Sequence, residues 1–399
     1  MSRSPIPRVT VWTNVTGAPG RAFRAAILTG AAALLTTATA LLPARALAVD
    51  WRSYRVQVQG SMDALLAAGV PGIVVYARDG NRTLTLARGL RDTSAGLPMK
   101  RGNRFRVGSI TKTFVAATLL RLESEGRLDL DDPVAHWLPG AIPNGGDISL
   151  RQLLNQTSGL FNYTDDLPFY VSVLTHPLQK WTPQELLAIA NSHPPTSPPG
   201  TKHSYSNTNY IVAGLVLEAV AGKPIAEALR DTFKVARLHH TTFEEDSIID
   251  GPFAHGYFYG VDVNVFDPAW VWAAGAISSD AKDIARFFRA LLGGRLLADT
   301  QLQEMETLVP VGFAEDPAAG YGLGLRGETH TFFSEGRPHV TCGPGAWGHS
   351  GNYFGYQSLA INSRDGVRQV VILMTYDALF FWPAQLEHLV EDAWCPLFS

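Results

Sequence analysis

The chain of 399 residues is 46% hydrophobic and 17% charged, with a formal net charge of -3 at pH 7. That composition suits a globular protein with a sizeable core and excludes a disordered chain. With no Lys/Arg cluster, it also argues against a nucleic-acid binder, which must neutralise many phosphates.

Residues 1–49 carry Arg3, Arg8, Arg21 and Arg24 but no acid, and Asp50 is the first acidic residue. After Arg24 the stretch AAILTGAAALLTTATALL, Ala25 to Leu42, is uncharged, and the small-residue site Ala46-Leu47-Ala48 follows it. A basic start, an apolar stretch and an A-x-A site predict a secretory signal over residues 1–48, cut after Ala48, and one secreted domain over 49–399. A retained membrane anchor is the alternative, and the Ala/Thr content weakens it. No later segment reads as a membrane span.

The spacing then predicts a helix from Asp50 to Ala68, a strand Gly72–Tyr76, and a second strand Arg82–Ala87 after the turn Asp79-Gly80-Asn81. Near the other end, Tyr356–Ile361 and Gln369–Thr375 read as paired strands and Pro383–Trp394 as a helix. Helical patterns with Pro/Gly-rich connections lie between. Strands at both ends and helices in the middle do not fit a repeating βαβ order. The predicted class is α+β: one antiparallel sheet built from both chain ends (about 50–108 and 320–399), with a mainly helical region (about 109–319) packed on it.

Val107 to Leu120 reads VGSITKTFVAATLL, an apolar helix whose first turn holds Ser109 and Lys112. Residues three apart share a helix face, so hydroxyl and amine are neighbours. A lysine in an apolar surround loses its charge readily and can take a serine proton, which is what acyl transfer needs. Helix N-terminal N–H groups can also stabilise an oxyanion. The motif is weak alone, because Ser279-Asp280-Ala281-Lys282 has the same spacing. There Ser278 and Ser279 read as helix caps, with Lys282 on the wet face.

Ser109 has company that Ser279 lacks. Tyr205-Ser206-Asn207 forms Y-x-N before an apolar helix from Ile211 to Val220, and His349-Ser350-Gly351 opens a strand-like run. In this order the three motifs resemble those of the penicillin-recognising serine hydrolases: DD-peptidases, class C β-lactamases and related esterases. The likeness is nearest to secreted D-alanyl-D-alanine carboxypeptidases. Further matches are LRQLLNQTSGL from Leu150, PGTKHSYSNTNY from Pro199, AGAISSDAKDIARFFRALL from Ala274 and YGLGLR from Tyr321. The likeness spans roughly residues 55–395.

The resemblance implies the β-lactamase/DD-peptidase-like fold, with the site between sheet and helices. It implies Ser109 as acylated nucleophile, Lys112 as its base, Tyr205 as proton relay to the leaving amine, and Asn207 as the group that holds the substrate amide. The backbone N–H groups of Ser109 and Asn352 would form the oxyanion hole, beside His349, Ser350 and Gly351. Arg326 matches an arginine that meets a substrate carboxylate. His349 stands where class C β-lactamases usually have lysine, which favours a peptidase or esterase over a true β-lactamase. Asn352, in place of the usual threonine, leaves substrate detail open.

Cys342 and Cys395 are the two cysteines of the chain. Export favours a disulfide between them, contributing about 4 kcal/mol in the chain-entropy model, and the resemblance implies the same bridge. Trp270 and Trp272 read equally as cleft wall or core. No metal-ligand spacing such as H-E-x-x-H and no cofactor fingerprint occurs. A Ser-His-Asp hydrolase fails because Gly348-His349-Ser350-Gly351-Asn352 lacks the last glycine of G-x-S-x-G.

The expected activity is therefore a cofactor-free serine D-Ala-D-Ala carboxypeptidase or transpeptidase acting on peptidoglycan peptides as a monomer, with β-lactams as inhibitors. An esterase, D-amino-acid peptidase or β-lactamase of the same family is the alternative. A non-catalytic penicillin-sensing or wall-binding module is the reading from another class.

Overall fold

The strands Gly72–Asp79 and Arg82–Asp92 form the N-terminal hairpin, and Gly72–Asp79 pairs on its other side with Arg368–Met374, near the end of the chain. The structure, a computed structural model, describes residues 49–249, 251–311, 319–328, 342–343, 345–376 and 384–398. The proposed signal, residues 1–48, lies outside them. Among the described residues the main sheet has nine strands, all antiparallel. From the hairpin edge, in space, they run Leu97–Pro98, Arg82–Asp92, Gly72–Asp79, Arg368–Met374, Tyr356–Asn362, Ala346–Tyr353, Arg326–Glu328, Gly320–Tyr321 and Val309–Pro310.

Both faces of the central strands are covered, so they read as nearly continuous apolar runs rather than alternating ones. Ile73 and Val75 face outward with Leu359 and Ile372. There they pack under the helices Trp51–Ala67 and Ala384–Trp394, through Tyr54, Met62, Leu389 and Trp394. Tyr54 donates its hydroxyl to the Ala393 carbonyl at 2.7 Å and joins the two helices. One step along each strand, Val74, Tyr76, Val371 and Leu373 face the opposite way, into the larger core with Phe114 and Phe287. The period of two thus divides each strand between two cores.

The helix Ile110–Ser124 is buried on nearly every side, because it runs through the middle of the helical region. Phe114 stacks on Phe287 at 3.6 Å between ring centroids and meets Phe233 edge-on at 5.6 Å. The helix Asn207–Ala221 packs beside it. A small sheet of Phe105–Arg106, Ile277–Ser279 and Thr242–Phe243 lies ahead of it, and Val107 N–H bonds to Ile277 O at 3.0 Å. That contact fixes the loop that delivers Ser109. Cys342 and Cys395 are joined in a disulfide.

Candidate active site

Ser109 starts its helix but does not cap it. It is the N-cap residue, and its side chain makes no capping hydrogen bond. Instead Oγ lies 2.9 Å from Lys112 Nζ and 2.9 Å from the Tyr205 hydroxyl. Ser109 is partly exposed and Lys112 is fully buried, so substrate reaches the hydroxyl while the amine stays dry.

The surroundings of Lys112 indicate its protonation state. Nζ has three oxygen neighbours: Ser109 Oγ at 2.9 Å, Asn207 Oδ1 at 2.8 Å and the Ala274 carbonyl at 2.8 Å. The last two can only accept, whereas a serine hydroxyl can also donate. A neutral amine, with two N–H bonds and one lone pair, donates to Asn207 and Ala274 and is left to accept from Ser109. No carboxylate touches it among the described residues, and burial holds its pKa well below the ordinary lysine value.

Tyr205 complements this. Burial pushes its pKa up to about 12, against opposing effects from Ser109 and Arg326, so its hydroxyl keeps its proton and donates to Ser109 Oγ. With the amine neutral, the protons run in one direction, Tyr205 to Ser109 to Lys112. The ring of Tyr205 also lies 5.1 Å below Nζ.

Asn207 is the first residue of its helix. Its N–H donates to Asn162 Oδ1 at 2.9 Å, its Nδ2 to Thr164 Oγ1 at 3.1 Å, and its Oδ1 accepts from Lys112. With Oδ1 towards Lys112 and Nδ2 towards Thr164, both ends of the amide have a partner. The segment LLNQTSGL supports the same helix from below: Gln156 Oε1 accepts from Ser206 N at 2.9 Å and from Asn209 Nδ2 at 2.6 Å.

The strand Ala346–Tyr353 completes the site. Its pairs Tyr353 with Tyr356, around a two-residue turn, and Gly351 with Ser358 are of one kind, so the N–H and C=O of Ser350 and Asn352 point away from the strand Tyr356–Asn362. Two glycines let this edge meet the nucleophile. Gly108 has φ +52, and a Cβ there would sit 2.5–2.9 Å from the Asn352 backbone. A Cβ on Gly351 would lie 2.8 Å from Ser109 N and 2.0 Å from Val107 O. Ser358 Oγ, donating to Val107 O at 2.8 Å, ties the strand to the loop.

His349 lies in the middle of this strand rather than opening it, and it is 2% exposed. Arg326, partly buried on the adjoining strand, opposes positive charge on His349 and His203 and lowers the pKa of Tyr205. The structure therefore brings together Ser109, Lys112, Tyr205, Asn207, His349, Ser350, Gly351, Asn352 and Arg326. Ser279 stands apart: it is buried in the strand Ile277–Ser279, its Oγ meets Thr241 Oγ1 at 2.8 Å, and Lys282 is exposed. Asp280, not either serine, caps the next helix. Trp270 bonds to Tyr353 and Trp272 packs on Gly214, so both stack into the interior.

Tyr321, His203, Thr164 and the Ala274 carbonyl belong to the site without having been singled out by sequence. Tyr321, His203 and Ala274 do fall in the quoted matches YGLGLR, PGTKHSYSNTNY and AGAISSDAKDIARFFRALL. Among the described residues no His/Cys/Asp/Glu group could hold a metal ion, and no helix is long and apolar enough to cross a membrane.

A family model described as Beta-lactamase matches residues 58–379. The chain belongs to that family. Its fold and relatives place it among the serine hydrolases of the penicillin-binding-protein and β-lactamase type. A solved D-stereospecific amidohydrolase from Streptomyces sp. superposes with a TM-score of 0.76 at 38% identity, over 85% of this chain and 98% of that one. A D-aminopeptidase of Cereibacter sphaeroides is 27% identical over 80% of this chain and 59% of its own length. An esterase of Burkholderia gladioli, EstB, is 32% identical over 48% of this chain and 52% of its own. The chain thus spans only slightly more than half of these last two relatives.

Proposed function

We propose that the protein is an exported D-stereospecific amide hydrolase that works through an acyl-enzyme on Ser109. The observation that carries the chemistry is the Ser109 hydroxyl set 2.9 Å from both the Tyr205 hydroxyl and the amine of Lys112, whose burial favours its uncharged form. Neutral Lys112 takes the Ser109 proton as Oγ attacks the scissile carbonyl carbon. The N–H groups of Ser109 and Asn352 receive the developing oxyanion. Tyr205 gives its proton to the departing nitrogen as the C–N bond breaks, and regains one from Lys112 by way of the site. Water then attacks the ester and releases the acid and Ser109.

The likeness to a D-stereospecific amidohydrolase and to a D-aminopeptidase supports a D-residue on the acyl side. Arg326 supports a second, narrower reading: a guanidinium beside the leaving group suits a free carboxylate there, as in D-Ala-D-Ala carboxypeptidase action, with penicillin as an acylating inhibitor. Export fits the basic, acid-free start of the chain and the Cys342–Cys395 bridge, which is at home in an oxidising compartment.

Hydrolysis of D-phenylalaninamide, a D-alanyl oligopeptide, acyl-D-Ala-D-Ala and their L counterparts, alongside p-nitrophenyl acetate, tests the reading. Cleavage of D but not L amides is expected. Acyl-D-Ala-D-Ala as the best substrate selects the carboxypeptidase form. Equal rates on both enantiomers, or turnover of the ester alone, overturns the proposal.

A further inference from the structure

We propose that a cationic cavity beside the N-terminal hairpin, separate from the Ser109 site, binds a phosphate-type polyanion. The cavity measures about 350 Å³, within the ordinary range for ligand pockets. Arg78 on the hairpin, Lys282, Arg286 and Arg289 on the helix Ala281–Leu292, and Arg295 just beyond it all line the cavity. Two strands of the sheet separate the hairpin strand Gly72–Asp79 from the strand that carries His349.

What distinguishes this cluster from an ordinary wet face is its lack of counter-charge. Lys282, Arg286 and Arg289 follow one another at helical spacing on one face, where like charges oppose helix formation. Asp283 is the acid nearest in sequence, and it is already engaged: buried, it accepts from the His239 and His240 N–H groups at 2.6 Å each and from Arg286 at 2.8 Å. Asp79, at the hairpin tip, pairs with Arg368 at 3.4 Å. Among the described residues no carboxylate pairs with Arg78, Lys282, Arg289 or Arg295, and Arg78 Nε is buried without a hydrogen-bond partner. Burial and the charges of Arg78 and Arg295 together lower the pKa of Arg289.

The sequence thus keeps cations together at a cost to the folded chain, in a concave site where low-dielectric walls concentrate their field. Several guanidinium forks converging from two elements match a group with many acceptor oxygens. Tyr76 and Thr85, which also line the cavity, add hydroxyls for the same group. An oligophosphate, or the phosphate headgroups of an anionic lipid surface, has this chemistry. Binding there leaves the hydrolytic site free.

The test titrates the purified protein with inorganic tripolyphosphate by calorimetry. It compares wild type, the double variant Arg289→Gln/Arg295→Gln, and a control, Arg55→Gln/Arg101→Gln, in a second basic cleft elsewhere on the surface. Saturable one-to-one binding is expected, weakened at least about tenfold in the first variant and less than about twofold in the control. Hydrolytic activity should be unchanged in all three, which also reports that they are folded. Sedimentation with phosphatidylglycerol vesicles distinguishes the sources: cavity-dependent capture assigns a lipid surface, and its absence assigns a soluble phosphate. No saturable tripolyphosphate binding, or equal weakening in both variants, overturns the proposal.

Discussion

Tyr321 donates its hydroxyl to Nε2 of His349 across 2.9 Å, while the other ring nitrogen, Nδ1, donates to the Ser350 carbonyl at 2.5 Å. A carbonyl can only accept, so Nδ1 carries a proton, and burial keeps the imidazole neutral, with Nε2 left to accept from Tyr321. The position that resembles a lysine site in class C β-lactamases thus holds an uncharged, fixed ring. Tyr205 consequently has no cation there to draw off its proton, which agrees with its role as a donor.

That arrangement has a stability consequence. Burial lowers the pKa of His349 to about 3 and of His203 to about 4, from 6.5. Below pH 6.5 the unfolded chain takes up protons that the folded chain refuses, so stability is complete above that pH and falls towards pH 3. Each such histidine steepens the loss by about 1.4 kcal/mol per pH unit. Urea unfolding of wild type and His349→Gln between about pH 4.5 and 7 should show a shallower slope in the variant. Parallel slopes would mean that His349 is charged in the folded protein.

Lys112 governs the pH dependence of the rate. It must be neutral to take the Ser109 proton, so kcat/KM should rise as pH rises through its lowered pKa. Tyr205, at about 12, should cause no alkaline fall until pH approaches that value. Lys112→Arg, charged at all pH values, should lose about 10²–10⁴ in kcat with no recovery at high pH. A pH–rate profile of each enzyme decides this.

Gly351→Ala probes the oxyanion contact. The added methyl would meet Val107 O at 2.0 Å and Ser109 N at 2.8 Å, so strand and loop must part. A fall of about 10²–10³ in kcat is expected, the cost of one misplaced oxyanion donor, with a smaller change in KM. Steady-state kinetics on a D-amino acid amide provides the check.

The Cys342–Cys395 bridge packs against the core on the outer face of the sheet, and the segment of sequence separation 53 that it closes includes the strand Ala346–Tyr353. Replacing both cysteines by alanine should cost about 2–4 kcal/mol of stability and leave kcat unchanged at low temperature. Thermal melting and initial rates measured on the same preparation separate the two effects.

Much of the arrangement was legible in sequence because its signals are local. The apolar run after Ser109, the two terminal hairpins and the Y-x-N segment each declare themselves within about twenty residues. What escaped depends on distant chain. Ser278 and Ser279 resemble caps, yet a strand too short to show a period carries them, held by pairing with Phe105–Arg106. The Ala274 carbonyl that orients Lys112 is a backbone atom, which residue identity cannot announce. Asn207 was expected to hold the substrate amide, but it also holds Lys112, through a contact 95 residues apart. Tyr321 stood in a quoted match as an ordinary aromatic until its hydrogen bond to His349 showed its place.

Acid-quenching the enzyme during turnover of a D-phenylalanine ester or amide, followed by peptide mass mapping, tests the acyl-enzyme directly. The expected result is an acyl adduct on the peptide containing Ser109, absent with the L enantiomer and absent in Ser109→Ala. An adduct on the peptide containing Ser279, or undiminished turnover by Ser109→Ala, would contradict the assignment of Ser109 as nucleophile.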